Sequence, residues 1–258
     1  MVESEYWRRE GLDRLVATYA DPGQNDPYYA TSGNAKVAFA PQISDLARLH
    51  RLIRERMATT VLEFGVGFST VVMADALAKN EAEFAALPNA PKLRNRRAFQ
   101  LVSVDASRHW ISETEKRIPA HLRPRIEIGH SRVLAGTHLG QLCHFYETLP
   151  NVVADFIYLD GPSPKDVEGS VNGLDFLIDE RTVMSADLLL MEPTMLPGTF
   201  ILVDGRTNNA RFLERNFRRP FKCTRNSEAD VTTFELDEPP LGRHSHDLVA
   251  LLKQAGLR

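Results

Sequence analysis

Apolar residues recur along this chain with two periods. Short runs rich in apolar residues, at 61–64, 99–104, 154–159 and 199–203, read as strands covered on both faces, and 125–129 reads as a further strand. Between them, apolar positions three and four apart read as helices. One helix is predicted at 3–19. A second begins near Ser44, with Ile43, Leu46, Leu49, Ile53 and Met57 on one face and Arg48, Arg51, Arg54 and Glu55 on the other. Further helices are predicted at 70–86, 110–118, 183–195, 208–217 and 246–257. Two late strands, 221–225 and 231–236, flank a polar turn and read as an antiparallel hairpin. Strand and helix alternate, which predicts an α/β fold: a Rossmann-like, doubly wound, mostly parallel seven-stranded sheet with an antiparallel C-terminal hairpin strand. Residues 132–150, punctuated by Gly136, Gly140 and Pro150, fit neither period.

The breaks in the pattern divide the chain. Residues 1–58 form an N-terminal helical cap, too short to hold a core alone, and 59–258 form the main domain. Asp21-Pro22-Gly23 ends the first helix, and Ser32-Gly33-Asn34 gives turn chemistry to an irregular stretch at 27–41 that carries Tyr28 and Tyr29. Those aromatics either line a pocket or cap the core. Pro88 and Pro91 with Lys92, Arg94, Arg96 and Arg97 mark an insertion, and such a charge run reads as a solvated face.

The segment that concentrates chemistry is Val61-Leu62-Glu63-Phe64-Gly65-Val66-Gly67-Phe68-Ser69-Thr70, a strand, a tight turn and the start of a helix. Gly65 and Gly67 are expected to take positive φ and let a nucleotide-like ligand approach the backbone. The amides of Ser69 and Thr70 stand at the partly positive helix end. A dinucleotide fingerprint would place a third glycine where Thr70 stands and an acid about 20 residues later. Here Glu63 already precedes the first glycine. Asp105 closes the second strand, where a carboxylate accepts both hydroxyl protons of a ribose, or alternatively caps the next helix. His130 and Ser131 follow the third strand, and Asp160, Gly161 and Pro162 the fourth. His130 reads as a general base or a hydrogen-bonded structural group. Asp204 closes the fifth strand.

Glu63-Phe64-Gly65-Val66-Gly67 resembles motif I of the class I S-adenosylmethionine-dependent methyltransferases, and Asp155-Phe156-Ile157-Tyr158-Leu159-Asp160-Gly161 resembles motif IV of the small-molecule O-methyltransferases. The resemblance covers roughly residues 59–237. It implies S-adenosylmethionine as cofactor, held by Glu63, Gly65, Gly67, Ser69, Thr70, Asp105, Ser131 and Asp160. It also implies transfer of a methyl group to a small-molecule acceptor, a hydroxyl oxygen first. Asp160 would be general base, electrostatic partner of the acceptor or metal ligand, with His130 as a second candidate base. Members that use a divalent metal pair the motif IV acid with an Asp-Asn after the fifth strand. Here Asp204 is followed by Gly205, with Asn208 and Asn209 further on, so a Mg²⁺ on Asp160, Asp204 and one asparagine is chemically reasonable while the pair itself is absent.

Three rivals remain open. An aminopropyltransferase shares the turn but carries a second acid where Gly161-Pro162-Ser163 stands. A nicotinamide-dependent oxidoreductase shares the sheet but conflicts with Glu63 and Thr70. A non-catalytic binding module keeps the pocket without turnover. Composition narrows partners: a net charge of −3 without a basic tail points away from nucleic acid, and two cysteines are too few for a disulfide framework. No apolar run approaches a membrane span and the first twenty residues lack a leader-like core, so a cytoplasmic protein is expected. A homodimer is left open.

Overall fold

A computed structural model of the chain describes residues 3–17, 42–88, 90–93 and 95–240. The turn at 21–23, the stretch carrying Tyr28 and Tyr29, Arg94 and the helix expected at 246–257 lie outside the described residues. In chain order the helices are α1 (Glu3–Arg9), α2 (Leu12–Ala17), α3 (Ile43–Glu55), α4 (Phe68–Ala85), α5 (Arg108–Arg117), α6 (Asp187–Met191) and α7 (Thr207–Asn216). The strands are β1 (Thr60–Phe64), β2 (Gln100–Asp105), β3 (Ile126–His130), β4 (Val133–His138), β5 (Gln141–Tyr146), β6 (Phe156–Leu159), β7 (Val167–Glu168), β8 (Phe200–Asp204), β9 (Phe221–Asn226) and β10 (Val231–Leu236).

Seven strands form the expected sheet, in the order β3-β2-β1-β6-β8-β10-β9. The first five run parallel and β10 runs antiparallel to both its neighbours. The chain builds outward from β1 to β3, then returns to β6 on the other side of β1. Strand order therefore reverses between β1 and β6, which opens a crevice at their carboxyl ends. Register brings the motifs level there, since Phe64 pairs with Val104 and with Leu159. Gly65, Asp105 and Asp160 then leave the sheet side by side.

Alternate residues of each central strand serve opposite layers. Val61, Leu101, Phe156, Tyr158, Phe200 and Leu202 pack with Leu49 and Ile53 of α3 and with Val71, Met73 and Leu77 of α4. Leu62, Phe64, Val104, Ile157, Leu159, Ile201 and Val203 face the other way, onto Cys143 and Tyr146 of β5, Leu188 of α6 and Leu213 of α7. Covering both faces explains why these strands read as continuous apolar runs. The N-terminal segment docks on the first layer: Tyr6, Trp7, Leu12 and Val16 pack on Leu46 and Ala47 of α3 and Val72 of α4. The buried Tyr6 hydroxyl donates to His50 Nδ1 (2.6 Å), and His50 Nε2 donates to Asp75 (3.0 Å).

Three expectations are corrected. The helix at 3–19 is interrupted at Gly11, whose φ of 72° ends α1 and starts α2. The helix expected at 183–195 is confined to α6, because residues before it lie extended along β5: His144 N–H donates to Met184 O (2.9 Å) and Ala186 N–H to His144 O (3.1 Å). Residues 132–150 are a hairpin, β4 and β5, closed by a two-residue turn in which Leu139 (φ 50°) and Gly140 (φ 77°) both take left-handed conformations. With β7 the hairpin makes a second, three-stranded sheet in the order β5-β4-β7. No helix among the described residues is long and apolar enough to cross a membrane.

Candidate active site

The turn after β1 is built around a buried carboxylate. Glu63 has no exposed surface. Its Oε1 accepts from Ser69 Oγ (2.6 Å), and its Oε2 accepts from Thr70 Oγ1 (2.8 Å) and Ser103 Oγ (2.6 Å). Thr70 Oγ1 in turn accepts from the Gly67 amide (3.1 Å). Burial pushes the Glu63 pKa up to about 8, against the pull of the three hydroxyls. With both oxygens spent on these three hydroxyls, Glu63 fixes Ser69 and Thr70 and thereby the first turn of α4.

The two glycines differ. Gly65 has φ 92°, and a Cβ there would meet Gly161 Cα and N at 3.0 Å. The contact is tighter from the other side, because a Cβ on Gly161 would stand 2.5 Å from Gly65 N and 2.8 Å from Phe64 C. The turns after β1 and β6 therefore touch backbone to backbone. Gly67 corrects the expectation of positive φ: at 175° it is extended, and a Cβ there would meet nothing within 4 Å. Neither backbone conformation nor packing inside the protein calls for glycine at 67. The space over the turn at this position is open.

Asp105 joins this turn from β2. Its Oδ2 accepts from the Val66 amide (2.9 Å) and its Oδ1 from the Ser107 amide (2.6 Å). The cap of α5 is Ser107, whose Oγ accepts from Trp110 N (3.3 Å), so Asp105 is free of that duty. Burial raises its pKa to about 6. His130 ends β3, and its Nε2 donates to Ala106 O (3.1 Å). Ser131 Oγ accepts from Thr148 N (2.8 Å) and donates to Arg132 O (3.2 Å). Since β3 is separated from β6 by β2 and β1, His130 lies about 14 Å from Asp160 at ordinary strand spacing. The two candidate bases therefore lie apart, Asp160 on the β6 side and His130 beyond Asp105, at the far end of the crevice.

On the β6 side lies a cleft of about 470 Å³ walled by Asp160, Asp179, Arg181, Thr182, Asp204 and Arg206, among others. The Asp160 side chain is 54% exposed, and its Oδ1 stands 3.9 Å from Arg206 Nη2. Desolvation by the surrounding protein is the largest influence on its pKa, ahead of Arg206, which lowers it, and Asp204, which raises it; the result is about 6, moderated by solvent in the cleft. Arg206 ties the β6 turn together by donating to the carbonyls of Asp160 and of Pro162 (3.0 Å). Asp204 Oδ2 accepts from Tyr158 OH (2.8 Å), and its Oδ1 is 3.9 Å from Arg48 of α3, which also donates to Asp45 (2.9 Å). Sequence reading passed over Arg206 and Arg48. Nothing in periodicity marks a polar residue that matters only where three elements converge.

The donor set does not fit the divalent ion entertained above. Asn209 is buried and committed, its Oδ1 accepting from Ser185 N and its Nδ2 donating to Ser185 O, both at 2.9 Å. Asp204 is bound to Tyr158, and two guanidinium groups flank the carboxylates where a cation would sit. Among the described residues no three acidic, histidine or cysteine side chains gather in a metal-binding group. The Lys92, Arg96 and Arg97 cluster lies away from the strand ends, with Arg97 paired to Glu127 of β3.

No protein-family model and no curated protein matches this sequence. Comparison with solved structures finds chains that match about nine tenths of its length. The O-methyltransferase TomG of Streptomyces achromogenes, involved in tomaymycin synthesis and solved with S-adenosylmethionine, is 16% identical over 92% of this chain and 100% of its own, with a TM-score of 0.43. The Podospora anserina methyltransferase PaMTH1, bound to S-adenosylhomocysteine, is 14% identical over 89% and 96%, with a TM-score of 0.45. An O-methyltransferase from Bacillus cereus is 16% identical over 87% and 97%, with a TM-score of 0.39.

Proposed function

We propose that the protein is an S-adenosylmethionine-dependent methyltransferase whose residues 59–258 hold the cofactor and whose acceptor is a small molecule, methylated on a hydroxyl oxygen. The observation that carries this reading is the backbone contact between Gly65 and Gly161, which makes one crevice of the two motif-bearing turns. A nucleoside fits the residues present. Gly67 leaves open space above the turn, and the amides that open α4 lie beside it. Asp105 has acceptor capacity left on both oxygens for a sugar diol. Ser131 and His130 stand where the base would lie.

When bound, the cofactor supplies an electrophilic methyl on a sulfonium sulfur, with a neutral thioether as leaving group. The chain's part is alignment and the acceptor proton. Asp160, poised near pH 6 and open to the cleft, would take the proton from an acceptor hydroxyl held beside it. Arg206, fixed by two carbonyls beside it, stabilises the developing negative oxygen in place of a metal. Charged, hydroxyl and amide side chains line the cleft together with Pro164 and Val183, a mixture suited to an acceptor with both polar groups and apolar surface. Through Arg48 the N-terminal segment reaches the same cleft.

Calorimetric titration of the purified protein with S-adenosylhomocysteine, NADH and decarboxylated S-adenosylmethionine in parallel tests the reading. Micromolar binding of the first alone is expected. Binding of NADH, or of none, overturns it.

A further inference from the structure

The hairpin that replaces a crossover helix between β3 and β6 brings polar groups to the inside of the molecule and leaves them without partners. On β5, Tyr146 and His144 lie two residues apart and so face the same side. Tyr146 is 4% exposed and its hydroxyl is buried and makes no hydrogen bond; both ring nitrogens of His144, which is 0% exposed, are likewise unpaired, as is Arg206 Nε. Backbone groups cannot have required these side chains, since the Tyr146 amide is satisfied by Asp187 (2.9 Å) and the His144 amide by Met184 (2.9 Å). An unpartnered buried hydroxyl loses its hydration without a replacement, a cost that phenylalanine would avoid. Native structures leave few such groups, and each calls for a reason.

Position supplies one. The Tyr146 ring packs on Phe64, the last residue before Gly65, with centroids 5.7 Å apart. The glycine turn therefore begins directly beneath it. Tyr146 pairs with Val133, two residues past Ser131, whose amide donates to Asp105 O (3.0 Å), so the hairpin is tied to the end of β2 where Asp105 stands. Beyond burial, the charges that act on the Tyr146 hydroxyl are, largest first, those of Asp105, Asp187, Arg206 and Asp166.

We infer that Tyr146 is a cofactor-binding residue, its hydroxyl making a hydrogen bond to the sugar of the bound nucleoside beside Asp105. This rests on the cofactor reading above. A neutral phenol can donate to one sugar oxygen or accept from a sugar hydroxyl, and so complements Asp105, which only accepts. The hairpin then forms the third side of the nucleoside site, after the turns of β1 and β2.

The test is Tyr146→Phe, which removes one oxygen and keeps the ring on Phe64. Titration with S-adenosylhomocysteine and, separately, with adenosine should show both dissociation constants raised about tenfold. Thermal unfolding of the ligand-free variant should be unchanged or raised, because the lost hydroxyl had no partner. Unchanged affinity for both nucleosides overturns the inference and leaves the cofactor reading standing. Weakening confined to S-adenosylhomocysteine overturns the sugar contact, since adenosine lacks the amino-acid tail. Failure of the unmodified protein to bind either overturns both. Should the variant not fold, 3-fluorotyrosine placed at position 146 keeps the hydroxyl, and its ¹⁹F signal must move when S-adenosylhomocysteine is added; an unmoved signal overturns the contact.

Discussion

Glu63 should make this protein less stable as pH rises through neutrality, and the effect should vanish with one atom exchange. The carboxyl is fully buried and its pKa is raised from 4.5 to about 8. Between those values the folded state holds a proton that the unfolded state has released, so stability falls with increasing pH. The difference of roughly 3.5 units corresponds to about 5 kcal/mol across the window, an upper limit because the loop can relax toward water. Below pH 4.5 both states are protonated and the term is absent. Glu63→Gln keeps the shape and cannot ionise, while its amide still meets the hydroxyls of Ser69, Thr70 and Ser103. Urea unfolding of both proteins from pH 5 to pH 9 should give curves that diverge, the variant gaining on the parent by several kcal/mol toward the alkaline end. Asp105, Asp160 and Asp187 also carry raised pKa values, but they titrate in both proteins and cancel in the difference. Parallel stability profiles would refute the reasoning and mean that Glu63 is ionised in the fold.

Gly161→Ala should destabilise by about 3 kcal/mol and abolish S-adenosylhomocysteine binding, since its Cβ would press on the Gly65 backbone at 2.5 Å; thermal unfolding and calorimetry check both. Gly67→Ala should instead leave the melting temperature within about a degree and weaken cofactor binding, because its Cβ meets ligand space alone. In Asp160→Asn, cofactor affinity should be nearly retained and turnover lost. In the parent, turnover should rise between about pH 5 and pH 7 as Asp160, with a pKa near 6, becomes able to accept a proton; an acid limb that persists in the variant would assign it to another group.

The sheet was legible because its central parallel strands end at or next to an acidic residue after a two-faced apolar run, while β3 alternates and ends at His130. Glu63, Asp105, His130, Asp160 and Asp204 all stand where that pattern puts them. The hairpin was not, and Leu139 shows why. A two-residue turn with both φ values positive normally carries asparagine, aspartate or glycine, and a leucine at its first position removes the signal. Helix α6 was overestimated for a related reason: residues 183–186 have helical spacing, yet their backbone groups are already taken by His144. Gly161 was visible as a turn residue, but its contact with Gly65 belongs to the sheet register and cannot be read along one strand.

The arrangement of charges at the strand ends limits how the protein can act on an acceptor. Three aspartates and two arginines wall the cleft, and Arg48 adds a third guanidinium behind Asp204. Arg206 is held by the carbonyls of Asp160 and Pro162, so its charge is fixed in place before any ligand arrives, and fixed charge stabilises a developing anion without reorganisation. A divalent ion would do the same work with a larger charge, yet Asn209 is spent on Ser185, one oxygen of Asp204 on Tyr158, and Arg206 and Arg48 flank the two carboxylates. Catalysis that depends on Arg206 should survive a chelator and fail in Arg206→Lys, whose single ammonium cannot bridge two carbonyls and still face the acceptor. Measured with any acceptor that supports turnover, loss of activity on chelation together with an active lysine variant would reverse the assignment.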